Sequence, residues 1–151
     1  LATSSLAYLT SQSLHWDDLQ RLQGDFPASL AYCEVKLANV LFTRSLARRL
    51  QGGDLTVNCL HPGAVASSLG GQNRVFLVAP LKKLLNPLLR SPEKAARTSV
   101  YLCNSEEVSG VSGGYFVNCR QREPKPWARD DEAAERLWNY SEECVGFHYP
   151  A

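Results

Sequence analysis

Methionine is absent from the sequence, and a complete translation product would ordinarily contain it, so a piece of something longer is expected. Charge of one sign is also lacking. Sixteen basic residues face fifteen acidic ones for a net charge of +1, which gives no electrostatic case for nucleic acid as a partner. No CxxC pair occurs among the five cysteines, Cys33, Cys59, Cys103, Cys119 and Cys144. They are expected to be reduced packing residues, buried in apolar stretches. His15, His61 and His148 show no zinc-type spacing with them, so no metal site is expected, and His15 and His148 read as ordinary residues. An uninterrupted apolar run is missing too. The greasiest segment, Val75 to Leu89, is broken by Pro80, Lys82, Lys83 and Pro87, whereas a membrane span needs about 20 apolar residues in sequence. The opening LATSSLAYL has no basic leader, so any targeting segment is expected upstream. Internal repeats are absent.

What is present is the balance of one globular domain, 44% apolar and 21% charged. A helix is expected over about Leu30 to Leu50: Leu37, Val40 and Leu41, then Phe42, Leu46 and Leu50, recur at three- and four-residue steps. Arg44, Arg48 and Arg49 suit its C-terminal dipole, and Gly52 and Gly53 stop it. Before it, Ser11 to Pro27 reads as a loop with one helical turn, while LATSS ends in small hydroxyl residues that can close a strand. After it, Leu55 to Leu60 reads as a short strand running into the HPG turn. Ser91 and Pro92 open a further helix, Gly113 and Gly114 precede a strand YFVNC, and a last helix starts near Asp130 with Ala134, Leu137, Trp138, Ser141 and Val145 on one stripe. This is the grammar of a parallel, doubly wound α/β sheet. Two or three strands are too few to complete one, so the remainder is expected upstream.

Tyr32 and Lys36 stand four residues apart at the start of the long helix, which puts them one above the other on one face. A phenol titrates near pH 10. An ammonium held within about 4 to 6 Å favours the phenolate and brings proton transfer into useful range. A serine hydroxyl beside them would fix a substrate oxygen, and Ser4 or Ser5 at the strand end can supply it. Alone, such a pair is a common coincidence.

Order and context change its weight. The run SS, AYCEVKLANVLFTRSLARRL, LTVNCLHPGAVASSL, SPEKAARTSVYL, SGGYFVNC and AAERLWNYS resembles the C-terminal half of the short-chain dehydrogenases/reductases, and within them the retinol dehydrogenase group. The resemblance spans nearly the whole chain and is weakest at residues 8 to 29 and 70 to 90. It implies the C-terminal catalytic half of one Rossmann-type domain, residues 1–151, without the half that cradles the cofactor phosphates, and with a variable substrate flap at about 70–90. It also implies roles. Tyr32 matches the catalytic acid and base, Lys36 the lysine that favours the phenolate and bonds the nicotinamide ribose, and Ser5, ahead of Ser4, the serine that orients the substrate oxygen. Pro62 and Gly63 match the turn along which the nicotinamide lies, with Val65 and Ser67 flanking its carboxamide. Val35 departs from the family, where serine is common, and the stretch between Ser5 and Tyr32 is slightly long. The glycine-rich phosphate loop, the residue that selects between the cofactors and the relay asparagine are not in this chain.

The implied activity is an NAD(P)-dependent interconversion of a lipophilic alcohol with an aldehyde or ketone, retinoid-like in class, with NADP(H) ahead of NAD(H). The implied setting is the endoplasmic reticulum membrane or the cytoplasm, with peripheral membrane contact through the apolar flap. Activity belongs to the full-length protein rather than to this stretch alone. The alternative is a truncated, non-catalytic module that uses the flap for membrane or partner binding. A pseudoenzyme that binds cofactor without turnover, favoured only by Val35, ranks last.

Overall fold

The computed structural model describes residues 1–23, 26–65 and 90–149. The strands are β1 (Ala2–Thr3), β2 (Cys59–His61), β3 (Tyr115–Val117) and β4 (Arg120–Arg122); the helices are α1 (Ala28–Arg49), α2 (Pro92–Asn104) and α3 (Asp131–Val145). The sheet runs in the order β1-β2-β3-β4. β1, β2 and β3 pair in parallel, while β4 pairs antiparallel with β3. This is the expected α/β class. Short 3-10 turns occupy Leu6–Thr10 and Trp16–Asp18; only one such turn is legible in the sequence.

Alternation along the strands sets the layers. Cys59 and Tyr115 face one side and join Leu37, Val40 and Leu41 of α1, Ala134 and Leu137 of α3, and Tyr8 and Leu14 in the main core. Leu60 and Phe116 face the other side and pack with Val108, Tyr101 and Leu102, under α2. Two apolar faces on one sheet require helices on both, which is the doubly wound solution.

α1 begins two residues before the expected Leu30 and ends at Arg49. At its C-terminal end it is locked to α3. Arg44 and Arg48 bind Asp131 at 3.0 and 2.6 Å, and Arg48 and Arg49 bind Glu135, each at 2.7 Å. Phe42 stacks on Trp138 at 5.0 Å between centroids. The first turn of α2 is capped by Ser91, whose Oγ accepts from Lys94 N–H at 3.3 Å, and that of α3 by Asp130, which accepts from Ala133 N–H at 3.0 Å.

The structure departs from expectation in four further respects. The second strand is Cys59–His61 rather than Leu55 to Leu60; Leu55 is 68% exposed, and regular pairing starts only where Ala2 N–H meets the Asn58 carbonyl and Gly113 N–H meets that of Val57. β4 was not legible, because its Arg-Gln-Arg sequence is exposed and carries no apolar alternation. The cysteines are all free, but only Cys33 and Cys59 are buried, with Cys119 intermediate and Cys103 and Cys144 exposed on the outer faces of their helices. Burial pushes the Cys59 thiol up to about 12, which keeps it protonated as a small packing group. On the α3 stripe Ala134, Leu137 and Trp138 are buried, whereas Val145, in the last turn, is exposed. The apolar flap falls in residues 66–89, outside the described residues. No described helix is long and apolar enough to cross a membrane.

Leu41→Ala is expected to destabilise the protein by about 2–5 kcal/mol through a cavity between α1 and the sheet, read from the denaturant midpoint at unchanged slope. The Glu135 carboxyl is held down at about 2 from an ordinary 4.5, chiefly by its hydrogen bond from Arg49 and then by Arg48 and Ser45. A depressed carboxylate contributes above its ordinary value, and that contribution is lost as pH falls from about 4.5 toward about 2. The side chain is 41% exposed, so screening limits the effect to about 1 kcal/mol. Glu135→Gln is therefore expected to lower Tm at neutral pH and to flatten the decline of Tm below pH 4.5.

Candidate active site

β1 ends at Thr3, and the next residue is spent on structure. Ser4 is 1% exposed, and its Oγ donates to the Lys36 carbonyl of α1 at 2.7 Å. Two further donors from α1 converge on the Thr3 carbonyl, Asn39 Nδ2 at 2.9 Å and Lys36 Nζ at 3.3 Å. These bonds staple the third and fourth turns of α1 to the carboxyl end of β1. Residues 36 and 39 fall on one face with 32, being three and four apart, so the staple also fixes where Tyr32 stands.

Ser5 differs from Ser4. It is half-buried, and its Oγ accepts from Ala7 N–H at 3.2 Å to open the following 3-10 turn, which leaves its hydroxyl proton for another partner. Tyr32 is 45% exposed, with Lys36 Nζ 5.2 Å from its ring centroid. Val35 lies exposed beside them.

The end of β2 joins this group. His61 Nδ1 accepts from Leu6 N–H at 3.3 Å, tying the turn after β1 to the turn after β2. Acceptance requires the neutral ring, and burial, followed by the charge of Arg90, lowers the His61 pKa from its ordinary 6.5. Pro62 and Gly63 follow. Gly63 has φ +93°, a region in which a side chain is strained, and a methyl group there would stand 2.6 Å from Arg90 Cδ. Arg90 N–H donates to the Ala64 carbonyl at 2.8 Å, and Val65 forms a parallel bridge with Arg90.

Ser5, Tyr32, Lys36, Pro62, Gly63 and Val65 thus gather at the carboxyl ends of β1 and β2, where open α/β sheets bind ligands. Ser67 lies outside the described residues. His15 and His148 are exposed, and the described residues include no cluster suited to a metal ion. Sequence reasoning assigned nothing to Asn39, His61, Arg90 or Asn118. The signal for Asn39 was available in its three-residue step from Lys36. Arg90 and Asn118 meet only through the fold.

The chain matches no family model. Retinol dehydrogenase 14 of Homo sapiens is 46% identical over 135 residues, which cover 88% of this chain and 40% of that protein. Retinol dehydrogenase 13 of Homo sapiens is 42% identical over 152 residues, covering 98% and 46%, and dehydrogenase/reductase SDR family member 13 of Bos taurus is 43% identical over 120 residues, covering 77% and 31%. Among solved structures, an uncharacterised protein from Mycobacterium paratuberculosis shares the fold, with a TM-score of 0.69 at 23% identity over 99% of this chain and 50% of that one. The chain spans less than half the length of these curated relatives. Sequence and fold together make it a homologue of the retinol dehydrogenases and other members of the short-chain dehydrogenase/reductase family.

Proposed function

We propose that the protein carrying this chain is an NAD(P)-dependent oxidoreductase that interconverts a lipophilic alcohol with its aldehyde or ketone, retinoids being the substrate class named by its relatives. The observation that carries the reading is the staple between α1 and β1. It commits Ser4 to the Lys36 carbonyl and leaves Ser5, Tyr32 and Lys36 as the polar groups at the strand end. Residues 1–151 then act as the C-terminal catalytic half of a Rossmann-type domain, with the flap at about 70–90 over the substrate.

Each residue has a task that follows from its chemistry. Tyr32 O–H gives a proton to the substrate oxygen in reduction and takes it back in oxidation. Lys36 places a positive charge beside the phenol ring, which stabilises the phenolate formed when that proton leaves. Ser5 donates to the same substrate oxygen and orients the carbonyl. The residues present fit the nicotinamide end of the cofactor. Lys36 spends one of its three donors on Thr3 among the described residues, and the Pro62–Gly63 turn stands at the end of β2, with the side of Gly63 where a Cβ would project taken by the Arg90 side chain. When bound, the cofactor supplies direct hydride transfer. NADP(H) ahead of NAD(H), and a setting at the endoplasmic reticulum membrane or in the cytoplasm, follow from the family resemblance.

Tyr32→Phe in the full-length protein is expected to lower turnover of a lipophilic aldehyde by about 10²–10⁴-fold with unchanged cofactor affinity; unchanged turnover would remove Tyr32 from the mechanism. The two serines are expected to separate cleanly. Ser5→Ala should lose activity with only the small drop in Tm of a lost, half-buried turn cap, whereas Ser4→Ala should lower stability by about 1–3 kcal/mol, because the buried staple is broken. Steady-state kinetics beside thermal melts reads both outcomes, and the reverse pattern would assign Ser4 as the catalytic hydroxyl.

A further inference from the structure

Arg90 lies at the junction of three loops. It immediately precedes Ser91, the cap of α2. Its side chain lies across Gly63, with Cδ and Nε 2.6 and 2.7 Å from where a methyl group on that glycine would stand. Its guanidinium donates to Asn118 Oδ1 at 2.5 Å. Asn118 is the first residue of the two-residue turn between β3 and β4, at φ 56°, and the turn is itself anchored, since Cys119 N–H donates to the buried Thr98 hydroxyl of α2 at 3.2 Å. Both ends of the Arg90 contact therefore rest on rigid elements, the start of α2 at one end and a turn pinned to α2 at the other.

We propose that Arg90 is a positioning residue of the redox site: it clamps the Pro62–Gly63 turn after β2 to the Asn118 turn after β3, and so fixes the surface that meets the nicotinamide end of the cofactor. The inference rests on the oxidoreductase reading above and adds to it a residue that touches neither Tyr32 nor Lys36 in the described contacts. The physical basis is an Arg90 side chain that packs on Gly63, which has no side chain of its own, while its flat, multiply donating guanidinium bonds Asn118. Gly63 at a positive φ is intrinsically loose, and the Arg90 side chain lying on it removes the freedom that glycine brings. The bond from Arg90 N–H to the Ala64 carbonyl holds the same turn from its far side. A held turn needs no reordering when the cofactor arrives, which favours binding.

Arg90→Met keeps the apolar stem over Gly63 and removes the guanidinium. In the full-length protein it is expected to weaken NADPH binding by calorimetry, and to raise KM for NADPH, by about tenfold while kcat stays within about twofold. Arg90→Lys should recover part of the loss. Asn118→Ala should reproduce it, and the Arg90→Met/Asn118→Ala pair should be no worse than either alone. A cofactor-free readout accompanies these: by NMR, the His61 ring should titrate higher in Arg90→Met than in the wild type, toward 6.5, since the Arg90 charge that disfavours the imidazolium is gone. Wild-type NADPH affinity in Arg90→Met, in a preparation whose Tyr32→Phe variant has lost turnover, would overturn the clamp and leave the oxidoreductase reading standing. An equal loss in Arg90→Lys with a lowered Tm would mark Arg90 as a structural residue and overturn the clamp as well. Absence of nicotinamide cofactor binding and turnover in the wild type would overturn both readings.

Discussion

The carbonyl of Thr3 is the point on which the arrangement depends. It stands at the end of a two-residue strand, and two side chains of α1 reach it, Asn39 and Lys36. A carbonyl oxygen has two lone pairs, so that acceptor is saturated. Next to it the fully buried Ser4 returns a bond to the α1 backbone at Lys36. A buried bond that cannot be exchanged for water resists sliding. Strand and helix are thereby fixed in height relative to one another, and a shift of α1 by one residue would unmake every member of the set. Lys36 holds the staple with the same ammonium that the proposed mechanism uses beside Tyr32, so structure and proposed chemistry share one side chain.

The other end of α1 is held differently. Arg44, Arg48 and Arg49 reach over to Asp131 and Glu135 in the first turns of α3, where the carboxylates also suit the positive end of the α3 dipole. These pairs are partly solvated and individually weak. As a network with the Phe42–Trp138 stack and Arg49 over the Trp138 ring at 4.2 Å, they fix the angle between two helices already joined by the core. The helix is thus pinned by buried dipoles near the site and by screened charges away from it.

Much of the fold was legible because periodicity reports burial. The α1 stripe at Leu37, Val40 and Leu41, the Ser91–Pro92 and Asp130 helix starts, and the strand read in YFVNC, which pairs over Tyr115–Val117 and turns at Asn118 and Cys119, all express a local rule that the tertiary structure obeys. The misses share a cause. β4 pairs through backbone alone and has no apolar face to betray it, and its turn is made by Asn118 and Cys119 at positive φ, where only the asparagine is a usual signal. Leu55 has the composition of a strand residue but no neighbour to pair with. At the candidate site, Tyr32, Lys36 and the HPG turn stood out as pattern and the family resemblance ranked Ser5 ahead of Ser4; what only the fold shows is that Ser4 is the serine the helix consumes. Contacts such as Leu6 with His61 and Arg90 with Asn118 span 55 and 28 positions along the chain and leave no trace in spacing.

The short hairpin after β3 has an effect beyond holding Asn118. By reversing the chain it places Arg120–Arg122 as the last strand of the described sheet, with all three residues exposed. An open strand edge is a template on which another chain can add by backbone pairing alone. Here any chain approaching that edge must come alongside two guanidinium groups, and two copies meeting edge to edge would bring like charges together. The same arginines that hide the strand from a hydrophobicity pattern therefore act as a guard against self-association of the sheet.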